Sequence, residues 1–165
     1  MFRALPTAAV ALANGASRIL MVGTVEEALT LRDSGIGAIC MGEVGGTRSP
    51  EFDFGNSPFE VFSLGFSGKT VIQRTSAGTQ GIVAAANRAD HLYAASLVTA
   101  AATVRAMLSG TPDHVSLVAM GDNGRVRTDE DEVCAIHLRN RLEGRSSDRE
   151  ALRRLILAGG EGPVP

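Results

Sequence analysis

Lysine, closely spaced cysteines and long apolar runs are scarce or absent in this sequence of 165 residues. Lys69 is the one lysine, so arginine side chains supply nearly all of the cationic groups that can bind an anion. Cys40 and Cys134 lie far apart and form no Cys-x-x-Cys pattern, which predicts two buried thiols in a reducing cytoplasm rather than a disulfide framework. No stretch approaches about 18 continuous apolar residues, so no transmembrane span is predicted.

A strong charge imbalance is also absent. The net charge is −2, and no basic field argues for a nucleic-acid partner. The start of the chain, "MFRALPTAAVALANGAS", has mild features of a secretory signal, but Pro6 and Thr7 interrupt its apolar run. We therefore expect a first helix that ends near Gly15, in a cytoplasmic protein whose residues 1–165 form a single α/β domain.

Several catalytic templates are missing. The sequence contains no phosphate-binding GxxxxGK[ST] loop, no GxGxxG after a strand and no GxSxG elbow. Cys40 and Arg48 are too widely spaced for the loop of cysteine phosphatases. The three histidines, His91, His114 and His137, are scattered, which favours structural or surface roles over a metal site.

Short apolar runs alternate with helical patterns along the chain. This alternation predicts a three-layer α/β/α fold with a mostly parallel sheet covered on both faces. Capping boxes of the Ser/Thr-x-x-Glu type predict three helix starts, at Thr24–Glu27, Ser57–Glu60 with Pro58, and Ser147–Glu150. The predicted strands are 18–23, 37–42, 69–74, 91–96 and 114–120, and the predicted helices are 24–35, one from 57, 79–87, 97–109, 129–142 and 147–159.

Polar clusters follow three of the predicted strands, where ligands bind in open α/β sheets. In "RTSAGTQG" (74–81), small residues let the backbone approach an anion, the next helix points N–H groups at it, and Arg74 adds charge. The alternative is a tight strand-to-helix turn capped by Thr79, and the turn alone does not decide between the two.

The loop 42–58 is longer than a usual connection, and long ordered loops are often functional. Glu43 and Asp53 offer two carboxylates near the predicted phosphate site, a donor set that suits Mg²⁺. Arg48 can fork onto an anionic group, and Asn56 lies at the predicted helix start. The alternative is a solvated loop whose charges keep it in water.

Four motifs together resemble the 2-phosphosulfolactate phosphatase family: "ALANGASRI", "DFGNSP", the Thr-Ser-x-Gly-Thr turn at 75–79 and "EDEVCA". The resemblance covers about residues 2–142. It implies an α/β/α fold and Mg²⁺-dependent conversion of 2-phospho-3-sulfolactate to 3-sulfolactate and phosphate, a step in coenzyme M biosynthesis. The residues that it implies for the site are Glu43, Asp53, Gly55, Asn56, Ser57, Thr75, Ser76, Gly78 and Thr79.

From these patterns we assign Asp53 and Glu43 as catalytic residues and Mg²⁺ ligands. The substrate is expected to be a small anionic phosphomonoester. The phosphate-binding set is Arg48, Asn56, Ser57, Thr75, Ser76, Gly78 and Thr79.

Two departures from the family pattern raise an alternative. Family chains usually begin with an apolar strand that ends in Asp, so the chain resembles a version shortened at both ends, and Ala77 stands where many members have Asn. A missing strand predicts self-association through its unpaired neighbour. The alternative function is a catalytically impaired or non-catalytic anion-binding homologue on the same scaffold.

Overall fold

The computed structural model describes residues 3–146 and 148–159. The chain divides into two compact units. The first, Arg3–Leu92, is called the sheet unit here, and the second, formed mainly by residues from Tyr93 onward, is called the helical unit. The single domain expected for residues 1–165 stays a prediction.

The sheet unit contains three parallel strands: β1 (Arg18–Met21), β2 (Ile39–Gly42) and β3 (Thr70–Arg74). Their order is β1-β3-β2, so the last strand in sequence lies in the middle. Leu20 and Cys40 both lie opposite Ile72 in the register. The predicted α/β fold with a parallel sheet is therefore confirmed.

Helices cover both faces of this sheet because strand side chains alternate between two apolar clusters. Met41 and Val71 pack on one face with Ala8 of helix α1 (Ala4–Ala13). Cys40 and Ile72 pack on the other face with Ala28 of helix α2 (Val25–Asp33). Residues one apart in a strand point to opposite faces, so this arrangement gives the expected α/β/α layers.

Two short helices complete the sheet unit, α3 (Pro58–Val61) and α4 (Gly78–Ala85). The predicted end of α1 is confirmed: Asn14 is its C-cap and Gly15 follows with φ of 96°, a conformation that glycine adopts without strain. The predicted cap of α2 is also confirmed, since the Thr24 hydroxyl accepts a 3.1 Å hydrogen bond from the Glu27 amide.

The helical unit contains α5 (Ala100–Ser109), α6 (Asp129–Leu142) and α7 (Arg149–Gly159). Ala100 and Val104 of α5 pack against Leu138 of α6. The predicted bounds of α6 are confirmed, whereas α5 begins three residues later than the predicted 97. Ser147 lies outside the described residues. No helix among the described residues is long and apolar enough to cross a membrane.

The predicted strands at 91–96 and 114–120 are wrong, because neither segment is a strand. For 114–120 the physical reason is direct: its backbone N–H and C=O groups make no hydrogen bond within the described residues of the helical unit. A strand exists only when a neighbour completes its hydrogen-bond ladder, and an apolar run supplies the side chains but not the neighbour.

Candidate functional site

The loop after β2 is fastened to the turn after β3 by one buried carboxylate, that of Glu43. Glu43 is only 8% exposed to solvent. Oε1 accepts a 2.6 Å hydrogen bond from the Ser76 amide, and Oε2 accepts bonds from the Ser76 hydroxyl at 2.9 Å and the Gly46 amide at 2.7 Å. Such bonds hold a carboxylate in a fixed position. We call this group, together with the Arg74 side chain, the Glu43–Ser76 cluster.

Arg74, the last residue of β3, joins the exits of all three strands. Its Nη1 donates to the backbone oxygen of Glu43 at 2.7 Å and to the Ser76 hydroxyl at 3.3 Å. Its Nε donates to the backbone oxygen of Gly23, just beyond β1, at 3.3 Å. The guanidinium of Arg74 therefore holds the loops that follow the three strands in fixed positions. They lie at the carboxyl end of the sheet, where open α/β sheets bind ligands.

Gln80 is a site residue that the sequence reasoning missed. Its Nε2 donates to the backbone oxygens of Gly23 at 2.9 Å and Thr75 at 3.0 Å, so it holds the exit of β1 against the turn after β3. The signal for it was its position in the small-residue turn, one residue after Thr79. An interpretation based on the small residues of that turn leaves the long amide side chain unassigned.

Thr75 and Thr79 form a buried reciprocal pair inside the turn, with exposures of 1% and 0%. The Thr75 amide donates to Thr79 Oγ1 at 2.8 Å, and the Thr79 amide donates to Thr75 Oγ1 at 3.1 Å. Both hydroxyls thus stabilise the turn. The amides of Ala77 and Gly78, at the start of α4, donate to no group in the described part of the chain, so the helix start offers two N–H donors to an anion.

Asp53 lies beside β2 rather than beyond its end. Its Oδ2 accepts a 2.8 Å hydrogen bond from the Cys40 amide, and its own amide donates to the Cys40 oxygen at 2.9 Å. Cys40 is three residues before Glu43, roughly 10 Å along an extended strand at about 3.3 Å per residue. The structure therefore joins Glu43 to Ser76 by hydrogen bonds, whereas the hydrogen bonds of Asp53 go to the backbone of Cys40. Arg48 donates to the Asp53 backbone oxygen at 3.2 Å.

Asn56 carries a buried side-chain oxygen, Oδ1, that has no hydrogen-bond partner in the described part of the chain. Buried polar atoms nearly always have a hydrogen-bond partner, so this oxygen is a candidate to bind a ligand. Asp53 Oδ1, which accepts no hydrogen bond within the described residues, and Asn56 Oδ1 are both hard oxygen donors of the kind that Mg²⁺ prefers. Among the described residues no group of three or more His, Cys, Asp or Glu is arranged to hold a metal ion.

The capping box predicted at Ser57–Glu60 is wrong. Helix α3 begins at Pro58 as expected, but the Ser57 side chain makes no cap hydrogen bond. Glu60 reaches past Ser57 and its Oε2 accepts a 2.9 Å bond from the Gly55 amide instead. The Ser57 hydroxyl is therefore not committed to the helix start.

The fourth motif, "EDEVCA", lies in the helical unit at the start of α6. Asp131 is 4% exposed and its Oδ2 accepts a 2.8 Å hydrogen bond from the Gly121 amide. Burial, with the nearby Asp131 charge, raises the pKa of the Cys134 thiol to about 11. Both cysteines are free, with Cys40 buried as expected and Cys134 half-buried.

The fold and the Glu43–Ser76 cluster define an α/β protein with a polar site at the carboxyl ends of parallel strands. A family model described as 2-phosphosulpholactate phosphatase matches residues 1–157, and the chain belongs to that family.

Individual relatives carry the same description. The chain is 37% identical over 130 residues to a probable 2-phosphosulfolactate phosphatase of Deinococcus radiodurans, covering 79% of this chain and 54% of that protein. A counterpart from Thermus thermophilus is 35% identical over the same length and coverage. One from Thermoplasma volcanium is 31% identical over 164 residues, covering 99% of this chain and 75% of that protein. The chain spans about half the length of the first two relatives.

Proposed function

We propose that this chain is an Mg²⁺-dependent phosphatase that hydrolyses 2-phospho-3-sulfolactate, or a similar small anionic phosphomonoester, to the free acid and phosphate. The observation that carries the proposal is the family match over residues 1–157 together with the two donor amides at the start of α4, beside the Glu43–Ser76 cluster. A helix start with unused N–H groups favours a phosphate dianion.

The residues of the sheet unit have separable roles in this proposal. Ala77 and Gly78 donate backbone N–H groups to the phosphoryl oxygens, and Ser76 and Thr79 hold those amides in place. Arg48 is exposed and, among the described residues, donates only to a backbone oxygen, so it has donors left for the acid group of the substrate. Preorganised donors of this kind stabilise charge that develops in the transition state.

The donor chemistry of Asp53 and Asn56 fits Mg²⁺, and these two residues would hold it in this proposal. When bound, Mg²⁺ supplies neutralisation of the phosphoryl oxygens. Glu43 was predicted as a ligand and a catalytic group as well. Its Oε2 accepts two hydrogen bonds and its Oε1 accepts only one, so Oε1 keeps a lone pair for a cation while the carboxylate stays held by its donors.

The test is phosphate release from 2-phosphosulfolactate, with Mg²⁺ and with Mg²⁺ removed by a chelator. Ser76→Ala removes the hydroxyl that Glu43 and Gly45 use and should lower release by about tenfold or more, since loss of a positioned donor costs at least that much. Ser63→Ala is the matched control, because the exposed Ser63 side chain makes no such bond. Absence of Mg²⁺-dependent release by the folded parent chain would contradict the proposal.

A second candidate is a non-catalytic anion-binding protein on the same scaffold. It is favoured by one observation, namely that both oxygens of Glu43 are already engaged by protein donors. The two functions separate in one experiment. Thermal stabilisation by 2-phosphosulfolactate without phosphate release indicates binding alone, whereas release with turnover indicates the phosphatase.

A further inference from the structure

Arg74 is held at the carboxyl end of the sheet by three neutral acceptors. Its Nε donates to the backbone oxygen of Gly23, and its Nη1 donates to the backbone oxygen of Glu43 and to the Ser76 hydroxyl. These acceptors belong to the segments after all three strands, so they fix the plane of the guanidinium. Nη2 donates to no group among the described residues of the sheet unit, which leaves its N–H groups available to a ligand.

The positive charge of Arg74 is not paired with a carboxylate of the sheet unit. Its three acceptors are neutral oxygens, and among the described residues of that unit it forms no ion pair. Arg74 is nevertheless half-buried, whereas the exposed Arg127 and Arg139 of the helical unit each bond a glutamate. A partly buried cation is stabilised by a nearby anion, because removing a charge from water costs free energy. The position therefore favours an anionic ligand.

The Ser76 hydroxyl beside this guanidinium cannot bind a ligand without losing an existing bond. It donates to Glu43 and accepts from Arg74 and from the Gly45 amide, so its donor and both of its lone pairs are in use. Ala77 is the next residue, and its uncommitted amide carries only the partial positive charge of a helix start. The guanidinium, which contacts the residue before Ala77, brings a full positive charge to the same turn.

We propose that Arg74 is a further catalytic residue, whose Nη2 donates hydrogen bonds to the phosphoryl oxygens of the substrate. This assignment rests on the proposed function for the identity of the substrate. The amides of Ala77 and Gly78 orient the phosphoryl group, and Arg74 adds the full charge that amides lack. A guanidinium stays charged at every working pH and neither gives nor takes a proton in this role. Arg48 remains the ligand of the acid group.

The first test is the binding of inorganic phosphate, measured by isothermal titration calorimetry, which requires no turnover. Arg74→Lys keeps the charge but loses the planar set of donors, and it should weaken phosphate binding by about tenfold or more. Arg18→Lys is the matched control at the opposite end of the sheet, where Arg18 begins β1 and its Nε donates to the Thr70 hydroxyl. It should bind phosphate like the parent, and equal weakening by the two variants overturns the proposal.

A second variant separates contact with the anion from the spacing of the loops. Gln80→Ala removes a hydrogen bond to the same Gly23 oxygen that Arg74 uses, yet it leaves the guanidinium in place. If Arg74 contacts the anion, Gln80→Ala should weaken phosphate binding clearly less than Arg74→Lys. Equal losses would show that Arg74 acts only by holding the loops, and they overturn the proposal.

Nitrogen-15 NMR of the parent chain follows the guanidinium without relying on a folded variant. Inorganic phosphate should shift the Arg74 Nη2 resonance and slow the exchange of its protons with water, because the anion replaces water as the acceptor. Unchanged Arg74 resonances at saturating phosphate, or no phosphate binding by the parent, overturn the proposal.

Phosphate release from 2-phosphosulfolactate, measured in parallel, separates this proposal from the proposed function. Arg74→Lys should lower kcat by about a hundredfold, as expected for the loss of a donor that stabilises transition-state charge. A parent that binds phosphate through Arg74 without releasing it from the substrate contradicts the phosphatase and supports Arg74 as the anion contact. Release that is unchanged in Arg74→Lys supports the phosphatase and overturns the assignment of Arg74.

Discussion

The sheet unit and the helical unit contain apolar runs of the same kind, and among the described residues only those of the sheet unit form strands. "RILM" in β1 and "ICMG" in β2 both pair with β3, which lies between them. Segment 114–120 has an equally apolar sequence and no backbone partner among the described residues of its own unit. The difference shows that an apolar pattern provides a face to bury, whereas a strand needs a neighbour that shares its hydrogen bonds.

The buried polar side chains also differ between the sheet unit and the helical unit. Glu43, Arg74 and Ser76 are held together because parallel strands end at one edge of the sheet, which brings the following turns side by side. In the helical unit the buried carboxylate of Asp131 instead caps a local hairpin through Gly121. Paired strands therefore provide both the stability and the geometry of the candidate site.

The largest expected effect is Gly42→Ala at the end of β2. A Cβ there would lie 1.8 Å from the Arg74 backbone oxygen, so the loss of unfolding free energy should be about 3 kcal/mol or more. Gly121→Ala makes a similar clash, 2.0 Å from the Val126 oxygen, but in a local hairpin whose following residues 122–127 are exposed and can shift, and should cost less. Gly45→Ala has positive φ and open space and should cost only about 1–2 kcal/mol. Urea unfolding ranks the three variants, and equal losses would contradict the comparison.

An intermediate effect is expected at alkaline pH in the helical unit. The raised pKa of Cys134 means that the folded chain retains a proton that the unfolded chain releases above its ordinary value of 9.0. Stability from this group is fully present below pH 9 and is lost as pH rises through about 11. Cys134→Ala should lose less stability than the parent over that interval. Parallel pH profiles for parent and variant would show that the thiol makes no such contribution.

The smallest effects separate two predicted helix caps of the sheet unit. Thr24→Ala removes the hydroxyl that accepts from Glu27 and should cost about 1 kcal/mol in urea unfolding. Ser57→Ala removes a hydroxyl with no cap bond and should change stability by less than about 0.5 kcal/mol. A loss at Ser57 as large as at Thr24 would restore the capping box that the structure does not contain.

Sequence reasoning located what depends on local chemistry. It predicted the first three strands, the cap at Thr24 and the end of α1 at Gly15, since each follows from residue types within a few positions. It failed at 91–96 and 114–120, where the state of the chain depends on a distant partner. It also failed at Ser57, because Glu60 had two backbone amides within reach and bonds that of Gly55.

The sequence predicts which residues belong to the candidate site but not how their side chains are arranged. Glu43 and Ser76 belong to different loops, yet they meet, because β2 and β3 are adjacent in the sheet. Thr75 and Thr79 have the expected position, but their hydroxyls bond to each other's amides. Spacing along the chain does not give the direction of a side chain, which is why Asp53 beside Cys40 and the link made by Gln80 required the structure.

The most direct test of the central claim is an amide-exchange footprint of 2-phosphosulfolactate with Mg²⁺ on the parent chain. The account predicts slower exchange for the amides of Ala77 and Gly78, which have no partner without ligand, and for the adjoining loop at Gly45 and Gly46. Exchange in segment 114–120 should be unchanged by the ligand at fixed protein concentration. Slowing confined to the helical unit, or no slowing at a ligand concentration that supports phosphate release, would contradict a site at the carboxyl end of the sheet.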